Sequence, residues 1–185
     1  MPKITYKESK GLVTEGGKGV DLVTGIAAGN GVNIRRPVVS LTSATKTVQV
    51  SESGTCFTLN RAAGVVVTLP AAEAGLSYEF YVETALNSNA YSVNAASSAD
   101  KYTGKMMMID IATKNSHIDL NDNVATIGWS VPHANDYQLS TNKTTTGGLA
   151  GSHWRFWCIT DGLWSVDGTN ICSSGATIAI PFAGG

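Results

Sequence analysis

An all-β fold is predicted: an antiparallel β-sandwich or barrel-like body over residues 37–185, behind an extended Gly-rich arm over residues 1–36. Three observations carry this. Short runs alternate apolar and polar residues with a period of two, which places each apolar set on one face of a sheet. No stretch long enough for a stable helix shows a helical period. Turn residues punctuate the chain throughout, and Asp161-Gly162, between two aromatic strands, is the strongest hairpin signal. About eight to ten short strands are expected. No internal sequence repeat is visible.

In residues 1–36, Gly11, Gly16, Gly17, Gly19, Gly25, Gly29 and Gly31 interrupt every candidate element. Between them lie Leu12-Val13, Val20, Leu22-Val23, Ile26 and Val32. These are too sparse for a core but are spaced like anchors along an extended arm, which could reach on the order of 100 Å. Gly16-Gly17-Lys18-Gly19 lacks the spacing and the strand-to-helix setting of a phosphate loop.

The body begins at Pro37–Ser43, followed by a short strand at Lys46–Val50 and a turn at Ser51–Gly54. The stretch Thr55–Glu83 organises the rest. Phe57 and Leu59 alternate with polar neighbours; so do Val65, Val67 and Leu69, and then Tyr78, Phe80 and Val82. Arg61–Gly64 and Pro70–Gly75 connect the three, and the expected unit is an antiparallel meander with one face in the core.

Tyr91-Ser92-Val93 reads as a strand between uncharged Asn-rich loops, Asp100–Gly104 as a turn, and Met106–Ala112 as a core strand. Ile118, Leu120 and Val124 suggest another strand, and Ala125–Val131 one more. Residues 133–152 are polar and read as an exposed loop. In His153–Thr160, Trp154, Phe156 and Cys158 share one face, while His153, Arg155 and Trp157 share the other. Leu163–Val166 completes the hairpin, and Asp167-Gly168 reads as a further turn. Ala176–Phe182 reads as an edge strand. It is uncharged, so it is expected to be paired, because a bare apolar edge invites aggregation.

Charged residues make up only 15% of the chain, against roughly 25% in ordinary soluble chains. Such a surface suits burial against a partner, first of all against copies of itself. The net charge of −1 gives no reason to expect nucleic acid. Residues 1–36 carry +3 and the remainder −4, which suits docking of the arm to an acidic protein surface. The three cysteines, Cys56, Cys158 and Cys172, are widely spaced and form no zinc pattern. The opening residues show no apolar run of the kind found in a secretory leader, and no apolar segment approaches membrane-spanning length, so no membrane partner is expected.

Residues able to carry chemistry are few. Ser152 beside His153, and His117 with Asp119, lack the Gly-x-Ser-x-Gly setting of a nucleophile elbow, so no catalytic residue is expected. Asp119, Asp122 and Asp136 lack the calcium-loop spacing, and neither metal nor cofactor is expected. Trp129, Trp154, Trp157 and Trp164 raise the question of a sugar-stacking platform. Most strand aromatics are core; the outward Trp157 with Arg155 is the candidate glycan or receptor surface.

The run TLNRAAGVVVTLPAAEAGLSYEFYV and the later GSHWRFWCITDGLWSVDGT resemble a pattern of tailed-phage virion proteins, above all the capsid decoration (cement) proteins. The resemblance spans about residues 47–170, and the opening MPKITYKESKGLV is weakly similar as well. It implies a non-enzymatic homotrimer on the outer capsid surface of a virion assembled in host cytoplasm. There it would bind the major capsid protein, bridge capsid subunits and stabilise the head. The arm residues expected to make that contact are Tyr6, Leu12, Val13, Lys18, Leu22, Val23, Arg35 and Arg36. The alternative is a tail- or head-fibre domain that attaches to a host glycan or receptor.

Overall fold

The computed structural model describes residues 4–7, 11–14, 36–111, 127–173 and 178–184. The chain divides into two units, Met1–Arg35 and Arg36–Gly185. In the first, β1 (Ile4–Lys7) and β2 (Gly11–Thr14) pair antiparallel, with Tyr6 opposite Leu12 and Thr5 opposite Val13. This stretch of the arm is therefore a two-stranded ribbon.

The second unit is built on two mixed sheets. The strands are β3 (Val38–Leu41), β4 (Thr45–Thr47), β5 (Cys56–Leu59), β6 (Val65–Thr68), β7 (Ser77–Val82) and β8 (Tyr91–Asn94). They continue with β9 (Lys101–Asp110), β10 (Ile127–Ser130), β11 (Gln138–Thr141), β12 (His153–Thr160), β13 (Leu163–Cys172) and β14 (Phe182–Ala183). One sheet has seven strands in the order β10-β9-β13-β12-β7-β5-β3, and the other has five in the order β14-β11-β8-β6-β4. The one helical element among the described residues is a 3₁₀ turn at Val50–Glu52.

From β3 to β8 the chain winds, each strand lying in the sheet opposite the one before. β3, β5 and β7 pair in parallel in the larger sheet, as do β4, β6 and β8 in the smaller. The result is three stacked coils. Leu41, Leu59 and Val82 form one buried column, and Phe57 and Phe80 are buried in the next, where Val39 at the sheet edge stays exposed. The Phe57 and Phe80 rings stack at 5.6 Å. Such ladders stabilise a wound chain because each coil buries the apolar row of its neighbour.

Thr55–Glu83 is thus not an antiparallel meander: β6 leaves for the opposite sheet, and β5 and β7 pair in parallel. The reason lies at the connector. Gly64 has φ +83, and a Cβ there would meet the Ala90 carbonyl oxygen at 2.3 Å. The peptide nitrogen of Asn87 donates to Ala62 O, and the Tyr91 hydroxyl donates to Arg61 O. The next coil's loop packs onto Arg61–Gly64 and turns it into a corner instead of a hairpin. A structural repeat is present after all. β3, β5 and β7 begin 18 and 21 residues apart, with little sequence likeness beyond the apolar columns.

The later strands close the two sheets. β12 and β13 form the expected antiparallel hairpin, inserted so that β12 pairs antiparallel with β7 and β13 runs parallel to β9. Asp167-Gly168 is not a turn but the middle of β13, where Gly168 lets the backbone pass within reach of His153 O. Likewise Lys101–Gly104 belongs to β9 and not to a turn. Residues 133–152 are no exposed loop. β11 lies inside the smaller sheet, with Leu139 buried and the Thr141 hydroxyl donating to Tyr91 O at 3.1 Å. Of the expected strand Ala176–Phe182, residues 176 and 177 lie outside the described residues; among the described residues at the C-terminal end only Phe182–Ala183 forms a strand, an edge paired to β11 of the same chain. The strand expected around Ile118, Leu120 and Val124 lies outside the described residues.

A single apolar cluster draws on both sheets, with Phe57, Tyr78, Phe80, Trp154, Phe156 and Trp164 from one and Val67, Tyr91, Val93 and Leu139 from the other. The Tyr102 hydroxyl on β9 donates to Val93 O on β8 at 3.1 Å, across the core. Half of Met106–Ala112 belongs here: Met106 and Met108 are buried, while Met107 and Ile109 turn outward.

Candidate functional site

The face of the seven-stranded sheet turned away from the core carries the functional candidates. Strand alternation sets it. With Trp154, Phe156 and Cys158 buried, His153, Arg155 and Trp157 must point out. Register then aligns Cys56, Glu79, Arg155, Asp167 and Lys105 in one row across five strands. The last four alternate in charge.

Arg155 donates from Nε (3.1 Å) and Nη2 (2.7 Å) to one carboxylate oxygen of Asp167. Hydrogen bonding to Asp167, then its charge, holds the Arg155 guanidinium above its ordinary pKa. On the other side Arg36 forms an ion pair with Glu79 at 2.5 Å and donates from Nε to Gly54 O at 2.7 Å. The His153 ring nitrogen Nε2 lies 3.4 Å from the same Glu79 oxygen. Burial works to raise the Glu79 carboxyl, but hydrogen bonds and charge from Arg36 and His153 together outweigh it and hold the pKa below the usual carboxylate value.

These groups border a hollow of about 460 Å³ lined by Arg36, Gly54, Ser77, Glu79, Arg155 and Trp157. Trp157 is 51% exposed, although β12 is the central strand of its sheet. On the far flank of the same face Trp129 is exposed too, with Lys105 Nζ 5.1 Å from its ring centroid.

Sequence reasoning placed Arg36 on the arm and Arg155 with Trp157 on a glycan or receptor surface; the structure brings all three into one hollow. Glu79, Ser77, Gly54 and Asp167 were missed. Alternation marks Glu79 as outward, but only the β7–β12 register puts it opposite Arg155. Of the other arm candidates, Tyr6, Leu12 and Val13 lie on β1 and β2, while Lys18, Leu22, Val23 and Arg35 lie outside the described residues. His117, Asp119 and Asp122 also lie outside them.

Ser152 and His153 do not form a nucleophile and base. Ser152 is buried, its Oγ accepts from the peptide nitrogen of Ile171 at 2.9 Å, and His153 points to the opposite face. Asp136 is buried and accepts from the peptide nitrogen of His133 at 2.7 Å, a local turn bond. Among the described residues no three His, Cys, Asp or Glu side chains group as metal ligands. Cys56 and Cys158 are free thiols, and Cys158 and Cys172 are buried. What the hollow can do is bind: it offers an aromatic face beside fixed hydrogen-bond donors and acceptors. Comparison of the chain with protein-family models, with curated proteins and with solved structures finds no match.

Proposed function

We propose that this chain is a virion structural protein, a capsid decoration protein with a sandwich-like body that binds the outer surface of a phage head. One observation carries the reading. The two stretches that resemble decoration proteins, far apart in sequence, fold side by side: β5, β7, β12 and β13 are consecutive in the seven-stranded sheet, apart from β6, which crosses to the smaller one. The resemblance thus falls on one structural block instead of scattered segments. The charge-poor surface suits packing against sister copies and the major capsid protein, and the basic first unit suits bridging to a neighbouring capsid subunit. Binding only the assembled shell would stabilise it by mass action, and several arms per oligomer would multiply the avidity. The role is non-enzymatic, with no cofactor, nucleic acid or membrane involved.

The test is co-sedimentation of the full-length chain with heads of the phage that encodes it. Saturable binding and greater resistance of the heads to heat are expected. Light scattering should give a trimer, three times the 19.3 kDa chain mass. Heads that pellet without the chain would end this reading. The fibre-domain reading, attachment to a host glycan or receptor, is favoured by the exposed Trp157 hollow alone.

A further inference from the structure

The charge balance around the hollow on the outer face selects the kind of ligand that would suit it. Arg36 and Arg155 bring two positive charges; Glu79 and the adjoining Asp167 bring two negative ones. An anion drawn to the guanidiniums meets two carboxylates, and a cation meets two guanidiniums. A neutral molecule meets no such opposition.

The hydrogen-bonding groups are only partly used. A guanidinium has about five donor hydrogens. Among the described residues Arg36 spends donors on Glu79 and Gly54 O, and Arg155 spends two of its donors on Asp167. Donors remain on both. The Arg36 and His153 contacts meet Glu79 at one oxygen, Oε2, which leaves the other as an acceptor. The ligand should therefore offer donors and acceptors together, as vicinal hydroxyls do. The ion pairs hold both Arg side chains and Glu79 in place before binding, so little side-chain freedom is lost when a ligand arrives.

Trp157 supplies the other half. An indole half exposed at the centre of a sheet adds little to the core and costs hydration. It is a flat apolar wall for a ligand that has one apolar face and a polar rim. The volume, about 460 Å³, falls within the range of roughly 300–1,000 Å³ usual for small-ligand clefts.

The geometry points to a carbohydrate site: a neutral pyranose ring stacked on Trp157, with its hydroxyls bonded to Arg155, Arg36 and Glu79. It stands apart from shell binding, which the first unit and the body's contacts with the capsid would carry.

The test uses the full-length chain, with methyl α-D-glucopyranoside, methyl α-D-mannopyranoside and methyl β-D-galactopyranoside as neutral probes and N-acetylneuraminic acid as the acidic one. Saturation-transfer NMR should show ring-proton signals for at least one neutral pyranoside. Trp157→Ala should weaken that binding about tenfold or more, and Trp157→Phe should retain most of it. Trp129→Ala, at the far flank of the same face, should leave it unchanged. If Trp157→Ala does not fold by circular dichroism, Arg155→Lys takes its place: it keeps the charge, loses the planar donor pair and should weaken binding several-fold. Transfer to none of the neutral probes, transfer to N-acetylneuraminic acid alone, or loss in Trp129→Ala but not Trp157→Ala would each overturn the inference. Head co-sedimentation of the same proteins keeps the two readings apart. Lost sugar binding with intact head binding removes only this site; the reverse removes only the decoration role.

Discussion

Trp154 and Trp157 stand three positions apart on β12 and meet opposite fates. Trp154 is fully buried between the sheets, in the same apolar cluster as Phe156 and Trp164, while Trp157 looks out over a polar hollow. The same contrast separates Phe80 from Glu79 on β7. One face of the seven-stranded sheet holds the fold together, and the other carries the proposed recognition surface. In a sheet whose residues alternate sides, a single strand can carry both roles without compromise, because a side chain on one face touches nothing on the other.

That contrast predicts a hierarchy of effects. Trp154→Ala should cost the most, about 3–5 kcal/mol, because it opens a cavity among fully buried neighbours; a urea titration followed by circular dichroism reads the loss. A cost like that of a surface substitution would mean the inner face is looser than its packing indicates. Gly168→Ala comes next. Its φ is +152, and a Cβ would meet His153 O at 2.1 Å, so β12 and β13 must separate locally, at about 1–3 kcal/mol. Because β12 also carries Arg155 and Trp157, this variant should weaken the hollow as well as the core.

Smaller effects belong to the outer face. The folded-state pKa of Glu79 is depressed, so its stabilisation is complete above the unfolded carboxylate value, near 4.5, and fades as pH falls through the lower folded value. Glu79→Gln should remove that part of the acid sensitivity, by at most about 1 kcal/mol, and leave stability at neutral pH only slightly reduced. Thermal melts from pH 7 down to pH 3 compare the two proteins; identical acid slopes would show that Arg36 and His153 give the carboxylate no net support. Trp157→Ala should shift stability least, within about 0.5 kcal/mol. A loss as large as that of Trp154→Ala would erase the distinction between the faces.

Legibility in the sequence followed the range of the interaction. The β12–β13 hairpin was readable because its partners are neighbours and its turn is Asp161-Gly162, where Gly162 takes φ +79. The outward placing of Arg155 and Trp157 came with it. The wound half was misread, because alternation says which side a residue faces but not which strand lies beside it. β5 and β7 look like members of a meander until Gly64 is seen packed under Ala90. β11 was hidden by its composition: Gln138-Leu139-Ser140-Thr141 has one apolar residue and gains its place through Tyr91 and Val93 on β8. The hollow was half visible for the same reason, since Glu79 and Arg36 join it only through pairings of distant strands.

The sequence by itself determined that this chain is β throughout its described body, which residues of β5, β6, β7 and β12 face inward, and that Trp157 and Arg155 look outward. These follow from local geometry, where a period of two and a turn dipeptide are enough. Only the tertiary structure decided that the early strands wind between two sheets, and that Arg36, Glu79 and Arg155 converge beside Trp157. Parallel pairing joins strands through connections that leave the sheet, so its register is set by packing across the core and not by any neighbouring residue.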